Sequence, residues 1–502
     1  MQAVVDAFKH SWNNYKKYAW GYDELKPLSK TFSMWFNLGL TIVDSLDTLY
    51  IMGLLNEFEE AKSWVANSLS FDRGSNINLF ECTIRVLGGL LSAFHLSGDS
   101  IFLKKAQELG DKLMPAFDTS SGVPFSDVDF SSNRGHNPAW GSESSTSEVS
   151  TIQLEFIDLS RVTNDPKYEK AAMRVTKHLH NLYKKQGLVP IYINPSTGAF
   201  RQSATITFGA RGDSYYEYLL KIWMLTGDSD AASDYIEAMK GMEELLLRET
   251  SASKLLYVGE LLAGNNFSPK MDHLVCFLGG NLALAASKGL ERSKFMTFGR
   301  RLTDTCIEFY NRMKTGLSPE IVHFNTQKNS TIQQEMFVKT ADSHNLQRPE
   351  TIESLFYLYR LTGNKTYQDV GWKIFQAFEK YTKVEGGYTS IGNVQNPANV
   401  QPRNKMESFW LSETLKYFYL LFTDDPNYVS LNEYIFNTEA HLIPFSYSSP
   451  RLGDYFNDDA GKIRVTIKPK NSNNNNNNNV NNNSDNDNYG NVNDDHEDDN
   501  NK

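Results

Sequence analysis

Apolar side chains follow two alternating helical patterns over the first 422 residues of the chain. One kind of run is apolar on nearly every side, as at 86–91 and 355–359, whereas the other carries a Lys and Glu face, as at 102–113. A helix that is apolar all round is buried in a core, and amphipathic helices cover it. The pattern therefore predicts seven inner helices, near 38–54, 79–96, 147–162, 213–225, 271–288, 350–361 and 407–422. It also predicts seven outer helices, near 2–18, 56–69, 100–114, 166–183, 229–249, 293–312 and 366–381.

A short polar turn recurs between an inner run and the outer run that follows it. It occurs at 96–99, 162–165, 225–228, 361–364 and 422–425. Gly or Asn suits the left-handed residue that ends a helix, and Ser, Thr or Asp caps the next helix. Repeated helical hairpins form an open solenoid or a closed ring. Seven pairs fit an all-α fold of the closed (α/α)7 barrel type, with the open solenoid as the alternative.

Composition and charge narrow the class of partner. The 502 residues carry 50 basic and 60 acidic side chains, a formal charge of −10, and the segment 471–502 alone contributes −6. The rest of the chain is nearly neutral and has no basic stripe. We therefore expect no nucleic-acid partner, because phosphate binding needs clustered Lys and Arg. Hydrophobic residues make up 40% of the chain, which is enough for a large core.

The last 32 residues differ in kind from the rest. Asparagine accounts for 17 of them and seven are acidic. Such a segment buries too little apolar surface to offset the entropy lost on ordering. We predict one catalytic helical domain over 1–450, a linker over 451–470 and a disordered tail over 471–502.

Membrane-spanning segments are not expected. No stretch of about 18 residues is apolar throughout, since Asp44 and Asp47 interrupt one candidate and Asn281 interrupts another. The sequence also does not open with a charged segment followed by an apolar one. We therefore expect neither an anchor nor a signal peptide in this sequence.

Carboxylates stand at the heads of four of the seven inner runs, within otherwise apolar sequence. They are Glu81, Asp213 with Glu217, Glu350 with Glu353, and Glu407 with Glu413. Basic and aromatic residues lie in these runs, just before them, or at the head of the run 271–288, namely Arg85, Arg211, Arg348, His273, Phe409, Tyr215 and Tyr216. If the inner helices are parallel, all of these meet at one end of the barrel and supply proton transfer, forked donors and stacking rings, which is typical of a carbohydrate site. Any single acid could instead stabilise a helix dipole.

Seven segments of the chain, in matching order over 2–445, make it resemble glycoside hydrolase family 47, the class I α-1,2-mannosidases. The segments are 18–27, 44–48, 78–85, 213–219, 271–276, 348–357 and 437–441. The resemblance implies an (α/α)7 barrel that removes terminal α-1,2-linked mannose from high-mannose N-glycans. It further implies an inverting reaction, a requirement for Ca²⁺, and a role in N-glycan processing and glycoprotein quality control.

The resemblance implies three catalytic acids. By position in the motifs, Glu81 matches a proposed general acid, Asp213 a second acid implicated in protonating the leaving oxygen, and Glu350 the base that activates water. An inverting glycosidase needs its acid and base roughly 6.5–9.5 Å apart with water between them. Which of Glu81 and Asp213 delivers the proton stays open from sequence.

The resemblance also implies a metal ligand. Thr438 matches the only direct protein ligand to Ca²⁺ in the family. A cation that takes six to eight oxygens must then complete its shell with waters and sugar hydroxyls. Four acids are candidates to hold those waters, each with a helix-end charge as the alternative: Glu353, Glu407, Glu413 and Glu439.

Substrate-binding positions follow from the same motifs. The matching residues are Arg85, Arg211, His273, Arg348, Phe409 and Glu413. In the family, the position of Arg211 tracks with branch choice, since endoplasmic-reticulum-type members have Arg there and Golgi-type members have a smaller uncharged residue. The resemblance therefore implies removal of chiefly one middle-branch mannose. The alternative is that Arg211 only pairs with Asp213 or another carboxylate.

The three cysteines lack the spacing of a zinc site. The resemblance implies a disulfide between Cys276 and Cys306, with Cys82 as a free buried thiol. A disulfide and three glycosylation triplets, at 266–268, 329–331 and 364–366, favour the endoplasmic reticulum or a wider secretory lumen. We expect a monomer that acts on the N-glycans of glycoproteins, with membrane association only if an anchor precedes Met1.

Two other classes of function compete with the hydrolase. A catalytically silent, mannose-binding degradation factor would share the barrel, but Glu81, Asp213, Glu350 and Thr438 occur together here. A helical-repeat scaffold for other proteins is also disfavoured, because buried acids are costly without a polar ligand or a metal.

Overall fold

Each of the fourteen helical segments expected from the sequence is helical in the computed structural model. The structure describes residues 1–72, 76–326 and 334–446, which lie in one compact unit, Met1–Asn457. The predicted linker 451–470 and tail 471–502 lie outside the described residues. In chain order the α-helices are α1 (Gln2–Ala19), α2 (Leu40–Asp44), α3 (Leu46–Ile51), α4 (Leu55–Asn67), α5 (Leu79–Cys82), α6 (Gly88–Ser97), α7 (Ser100–Leu113), α8 (Thr146–Ser150), α9 (Gln153–Thr163), α10 (Lys167–Asn181), α11 (Asp213–Thr226), α12 (Ser229–Leu245), α13 (Phe277–Ser287), α14 (Arg292–Asn311), α15 (Glu350–Thr362), α16 (Thr366–Tyr381) and α17 (Leu415–Leu421).

Short helical pieces of other pitch extend several inner helices, and short strands join the helices. The π-helical turns are Thr83–Leu87 and Trp410–Thr414, and the 3₁₀ turns are Met114–Phe117, His273–Cys276 and Thr340–Asp342. The strands are β1 (Glu24–Lys26), β2 (Thr31–Ser33), β3 (Ile77–Asn78), β4 (Asp127–Asp129), β5 (Arg134–His136), β6 (Ser144–Ser145), β7 (Tyr192–Ile193), β8 (Leu247–Glu249), β9 (Leu256–Val258), β10 (Glu260–Leu262), β11 (Asn266–Ser268), β12 (Lys270–Asp272), β13 (Ile321–Phe324), β14 (Met336–Phe337), β15 (Lys383–Val384), β16 (Gly387–Tyr388), β17 (Tyr434–Phe436) and β18 (Leu442–Pro444). All of these pair antiparallel in sheets of two or three strands.

The inner helices form a closed ring. Contacts run from α3 to α6, α9, α11, α13, α15 and α17 in turn, and the π turn Trp410–Thr414 at the head of α17 contacts α2 and α3 again. Each outer helix from α7 to α16 packs on the inner helix before it, and α1 packs on α17. The (α/α)7 barrel is confirmed, and the open solenoid is excluded because the last inner helix meets the first.

The recurring turns take the expected conformation. Gly98 and Gly363 end their inner helices with φ of 74° and 68°, and Asn164 does so with φ of 55°. A left-handed residue there ends the helical hydrogen bonding, and glycine or asparagine adopts it at low cost. The next residue caps the outer helix, as where the Asp99 carboxylate accepts from the Ile101 amide at 3.1 Å.

A β-hairpin made of β17, β18 and the turn between them enters the barrel, and we call it the inserted hairpin. Its strand β18 contacts α6 and α9. Ile435 and Ile443 are buried against α9 and α11, and Phe436 packs on rings of α15 and α17. The turn of the inserted hairpin, which carries Thr438, is thereby brought to the barrel axis.

One continuous helical run, Leu79–Ser97, is long and apolar enough by composition to cross a membrane. However, 83% of its apolar window is buried within the barrel. Burial of this kind is expected for a core helix, so the run gives only weak support for a span.

Candidate active site

The N-terminal heads of the inner helices and the turn of the inserted hairpin enclose a cavity of about 300 Å³. This volume is at the lower end of the range for small-ligand sites. The lining residues are Phe80, Glu81, Ile84, Arg85, Ser145, Ser147, Glu148, Ala210, Arg211, Asp213, Ser214, Glu217, Leu274, Phe277, Arg348, Pro349, Glu350, Glu353, Phe409, Glu413, Thr438 and Glu439. The structure thus brings together the three predicted catalytic acids, Thr438 and five of the six predicted substrate-binding residues.

Local irregularities in the inner helices position several of these side chains. The Asn78 side chain accepts from the Glu81 amide at 2.9 Å, which caps α5 and places Glu81 in its first turn. Arg85 and Glu413 both lie in π-helical turns, Thr83–Leu87 and Trp410–Thr414. Such turns occur often at functional sites, because the inserted residue redirects the side chains around it.

Arg85 connects two of the acids. Its Nε donates to Glu81 Oε2 at 2.8 Å and its Nη1 donates to Glu439 Oε1 at 2.6 Å. The guanidinium also lies over the Phe409 ring, 5.6 Å from its centroid. Glu81 and Glu439 are therefore held on either side of one fixed cation.

Glu350 is a carboxylate held in its ionised form. Burial alone would raise the pKa of Glu350, but His273 and Arg348 lower it below its ordinary value. His273 Nδ1 lies 2.9 Å from Glu350 Oε2, and Arg348 Nη1 lies 4.0 Å from Oε1. An ionised carboxylate at the cavity wall can accept a proton from water.

The pKa of Asp213, unlike that of Glu350, lies above its ordinary value. Burial, with added repulsion from Glu217, Glu350 and Asp272, raises the pKa of Asp213 to about 7, although the Ser214 amide donates to it at 2.9 Å. The carboxyl therefore retains its proton up to about neutral pH. One cavity thus holds a protonated acid and an ionised base, the pairing on which glycoside hydrolysis depends.

Around Thr438 the cavity floor is crowded with buried acids. Burial and neighbouring carboxylates raise the pKa of Glu353 to about 8 and that of Glu413 well above its ordinary value. Burial likewise raises the pKa of Glu439, although Arg85 opposes the change. Thr438 Oγ1 donates to Glu217 Oε2 at 2.8 Å. Arg85 pairs with Glu439 and Lys221 pairs with Glu217. The remaining density of buried carboxyl and hydroxyl oxygens fits a hard cation such as Ca²⁺.

Among the residues that the structure describes, carboxylate and imidazole groups are not arranged to ligate a metal directly. Over residues 1–72, 76–326 and 334–446, no group of three or more His, Cys, Asp or Glu side chains is placed to hold a metal ion. The residues present fit a cation that would bind Thr438 and reach the surrounding acids through water.

Arg211 lies beside exposed aromatic rings at the cavity. Its guanidinium is 4.6 Å from the centroid of the Trp140 ring, and Trp140 is 49% exposed. Its Nη1 is buried with no hydrogen-bond partner among the described residues. The backbone of Arg211 has φ of 73°, and its carbonyl accepts from the Ser147 amide at 3.0 Å. A strained residue with an unused donor at a cavity is suited to binding a ligand hydroxyl.

Three sequence expectations differ from the structure. His273 is 2% exposed, is absent from the described lining residues and contacts Glu350 instead, because the 3₁₀ turn His273–Cys276 directs its ring towards Tyr310. Tyr215 and Tyr216 are core residues. Successive helical residues are turned by about 100°, so α11 directs Asp213 and Glu217 to the cavity and these two tyrosines away from it. Glu407 pairs with Lys405 at 2.9 Å and does not line the described cavity.

Sequence reasoning missed Glu148, which lines the cavity from α8. Burial and the nearby Glu81 raise the pKa of Glu148 to about 7. It is the acid at the head of the third inner helix, and its position there, not the apolar character of its neighbours, is the signal that could have found it.

Cys276 and Cys306 form a disulfide with a Cα–Cα distance of 5.9 Å, as the sequence predicts. The bond joins the head of α13 to α14. Cys82 is a free, buried thiol, and burial raises its pKa above the usual range.

Comparison with known proteins gives concordant matches. The family model described as glycosyl hydrolase family 47 matches residues 7–445. The chain is 55% identical to the human endoplasmic reticulum mannosyl-oligosaccharide 1,2-alpha-mannosidase, over 88% of this chain and 64% of that protein. It is 47% identical to the mannosyl-oligosaccharide 1,2-alpha-mannosidase MNS3 of Arabidopsis thaliana, over 88% of this chain and 78% of that protein. The chain thus spans less than two thirds of the length of the human relative.

A solved structure matches as well. The alpha-1,2-mannosidase from Trichoderma reesei superposes with a TM-score of 0.83 at 28% identity, covering 89% of this chain and 98% of that one. The similarity therefore extends through the whole described barrel.

Proposed function

Because the chain belongs to glycosyl hydrolase family 47, we propose that it is an inverting hydrolase that removes terminal α-1,2-linked mannose from high-mannose N-glycans. The observation that carries this proposal is a sugar-sized cavity lined by Asp213, whose pKa burial raises, and by Glu350, whose pKa His273 and Arg348 lower. The relatives named as mannosyl-oligosaccharide 1,2-alpha-mannosidases support the choice of sugar and linkage.

Glu350 is the proposed base. Its ionised carboxylate takes a proton from the attacking water, and His273 and Arg348 hold it in place. As the proton leaves water, the oxygen attacks the anomeric carbon from the face opposite the leaving group. The configuration at that carbon is thereby inverted.

Asp213 is the proposed source of the proton for the leaving oxygen. With a pKa of about 7, a substantial fraction of Asp213 carries its proton at neutral pH. Glu81 instead pairs with Arg85, whose Nε donates to Glu81 Oε2 at 2.8 Å. We therefore assign the acid role to Asp213, and we assign to Glu81 the role of fixing Arg85 at the sugar.

Arginine and aromatic side chains bind the glycan. Arg85 and Arg348 lie 5.6 and 5.8 Å from the Phe409 ring centroid, so a ring that can stack on a sugar lies between two forked donors. Glu413 on the cavity floor accepts hydrogen bonds from sugar hydroxyls. Arg211 beside Trp140 selects the branch, which gives removal of chiefly one middle-branch mannose.

Calcium is the proposed cofactor. Thr438 would hold it, with Glu353, Glu413 and Glu439 accepting hydrogen bonds from its waters. Bound there, the ion supplies positive charge that binds sugar hydroxyls and neutralises the buried acids. The chain's own residues carry the proton transfers described above.

The disulfide and the named endoplasmic-reticulum relatives support a place in the secretory lumen, where N-glycans are trimmed during glycoprotein quality control. The test is a release assay for free mannose on a nine-mannose glycan, with and without chelator. If the protein is the proposed calcium-dependent hydrolase, it releases mannose only when calcium is present. A silent mannose-binding relative binds the glycan without release, and a helical scaffold does neither.

A further inference from the structure

Four charged side chains are fully buried where the barrel ring closes, and we call Asp44, Asp47, Lys416 and His441 the anchor cluster. His441 Nδ1 lies 2.9 Å from Asp47 Oδ2, and its Nε2 lies 3.0 Å from Asp44 Oδ1. Lys416 Nζ donates to Asp47 Oδ2 at 2.9 Å. The cluster therefore joins the first inner helix to the last one and to the inserted hairpin.

The anchor cluster holds the turn that carries Thr438. Lys416 Nζ donates to the carbonyl of Ala440 at 2.6 Å. The backbone amide of His441 donates to Asn437 Oδ1 at 2.8 Å. Ala440 has φ of 61°, a left-handed conformation that alanine rarely adopts and that these bonds hold in place. Thr438 lies between two residues that the cluster fixes.

Two glycines at the head of α6 leave the space that this turn occupies. A Cβ at Gly88 would lie 2.7 Å from Asn437 Nδ2 and 3.0 Å from His441 Cδ2. A Cβ at Gly89 would lie 2.6 Å from the Val43 carbonyl oxygen and 3.4 Å from His441 Cε1. The turn of the inserted hairpin therefore packs directly against α6, with no room for a side chain at either glycine.

Charge within the anchor cluster is balanced. Although burial opposes a charged imidazole, the carboxylates of Asp47 and Asp44 raise the pKa of His441 to about 9. Burial likewise opposes ionisation of Asp47, but Lys416 and His441 lower its pKa to about 2. Two cations thus face two anions, and the cluster leaves no charge to bind an ion of its own. Its contribution to the site is positional.

We infer that His441, held between Asp44 and Asp47, is a positioning residue that sets the place of the Thr438 oxygens and thereby the affinity of the protein for calcium. The inference rests on the proposed calcium site and adds residues that touch neither the ion nor the sugar. Outer residues that orient a metal ligand commonly contribute on the order of 10–100-fold to metal affinity.

The test measures calcium affinity by isothermal titration of the calcium-free full chain, and thermal stability of the same calcium-free protein. In His441→Gln, the amide cannot bridge both aspartates, so we expect calcium affinity to fall by about tenfold or more. The matched control is His95→Gln, which breaks another buried pair, His95 Nε2 with Asp158 Oδ2 at 2.7 Å. His95 is ten residues along the same helical run from Arg85, about 15 Å from the cavity end.

Loss of calcium affinity in His441→Gln but not in His95→Gln supports the inference, even if both variants melt earlier. Unchanged calcium affinity in His441→Gln, or an equal loss in the control, overturns it. If His441→Gln does not fold, Gly88→Ala decides, because its methyl group displaces Asn437 and should weaken calcium binding in the same direction. If the unaltered protein binds no calcium, the proposed metal site fails, and this inference fails with it for a distinguishable reason.

Discussion

Replacing the proposed base by its amide, Glu350→Gln, should remove hydrolysis and leave the fold intact. Gln keeps the shape of Glu and still presents an oxygen to His273 Nδ1, which lies 2.9 Å from the native carboxylate. It cannot accept a proton from water. The attacking water therefore loses its base, while the residues that bind the glycan remain in place.

The size of the effect follows from the role assigned to the residue. A positioned general base typically contributes ~10²–10⁴ to the rate, which is about 2.7–5.4 kcal/mol of transition-state stabilisation at 1.36 kcal/mol per tenfold. Replacing the charged hydrogen bond to His273 by a neutral one costs about 1 kcal/mol of stability, since charged bonds contribute about 1.5–3 kcal/mol and neutral ones about 0.5–1.5 kcal/mol. In return, removing the Glu350 charge relieves its repulsion of Asp213, Glu353 and Glu413. We expect these two effects on folding to offset each other.

The assay compares kcat for mannose release from the nine-mannose glycan with the dissociation constant for the same glycan. Glu350→Gln should lower kcat by several orders of magnitude and leave glycan binding close to that of the unaltered protein. The matched control is Glu407→Gln, since Glu407 heads a neighbouring inner helix but pairs with Lys405 outside the cavity lining. The control should retain its turnover. Near-normal turnover in Glu350→Gln, with the control behaving the same way, would refute the base assignment.

Three further outcomes are expected. Because Asp213 must be protonated and its pKa is about 7, kcat/KM should fall as pH rises above about 7, and a pH–rate profile that stays flat to pH 9 would contradict its acid role. Exhaustive chelation should abolish activity and lower the melting temperature, since calcium stabilises only the native state it binds; full activity in chelator would exclude the metal role of Thr438. Arg211→Leu should broaden the pattern of mannoses removed, as read by chromatography of partly trimmed glycans, and an unaltered protein that trims all branches at comparable rates would contradict the assigned branch preference.

The sequence predicts the barrel well because its signal is local and repeated. Inner and outer helices differ in which faces are apolar. Gly98, Asn164 and Gly363 mark where an inner helix ends. These features depend on neighbours along the chain and need no knowledge of the tertiary contacts. Fourteen helical segments could therefore be placed, although the breaks inside some inner segments, as between α2 and α3 and between α8 and α9, were not foreseen.

Directions of side chains were harder to predict than the positions of helices. Glu413 reaches the cavity from a π turn and His273 leaves it through a 3₁₀ turn, and an ideal helical period foresees neither. Glu148 was missed because its polar, serine-rich surroundings do not look like a buried run. Tyr215 and Tyr216 were placed at the cavity although the period of α11 directs them into the core.

Contacts between distant segments could not be read from the sequence at all. His441 and Asp44 are 397 positions apart, and their contact requires that the first and last inner helices be adjacent. The residues around Thr438 have the composition of an ordinary turn, and only the resemblance of segment 437–441 to a family motif indicated a metal ligand. The three-dimensional arrangement adds what the motif lacked, a turn held at the barrel axis among buried acids.

The measurement that tests the central claim most directly is a proton NMR time course of the purified, calcium-loaded protein acting on the nine-mannose glycan. The spectrum reports both whether mannose is released and which anomer appears first. We predict early accumulation of β-mannose from an α-linked substrate, followed by slow mutarotation. Absence of released mannose, or α-mannose as the first product, would contradict an inverting hydrolase that uses Glu350 as its base.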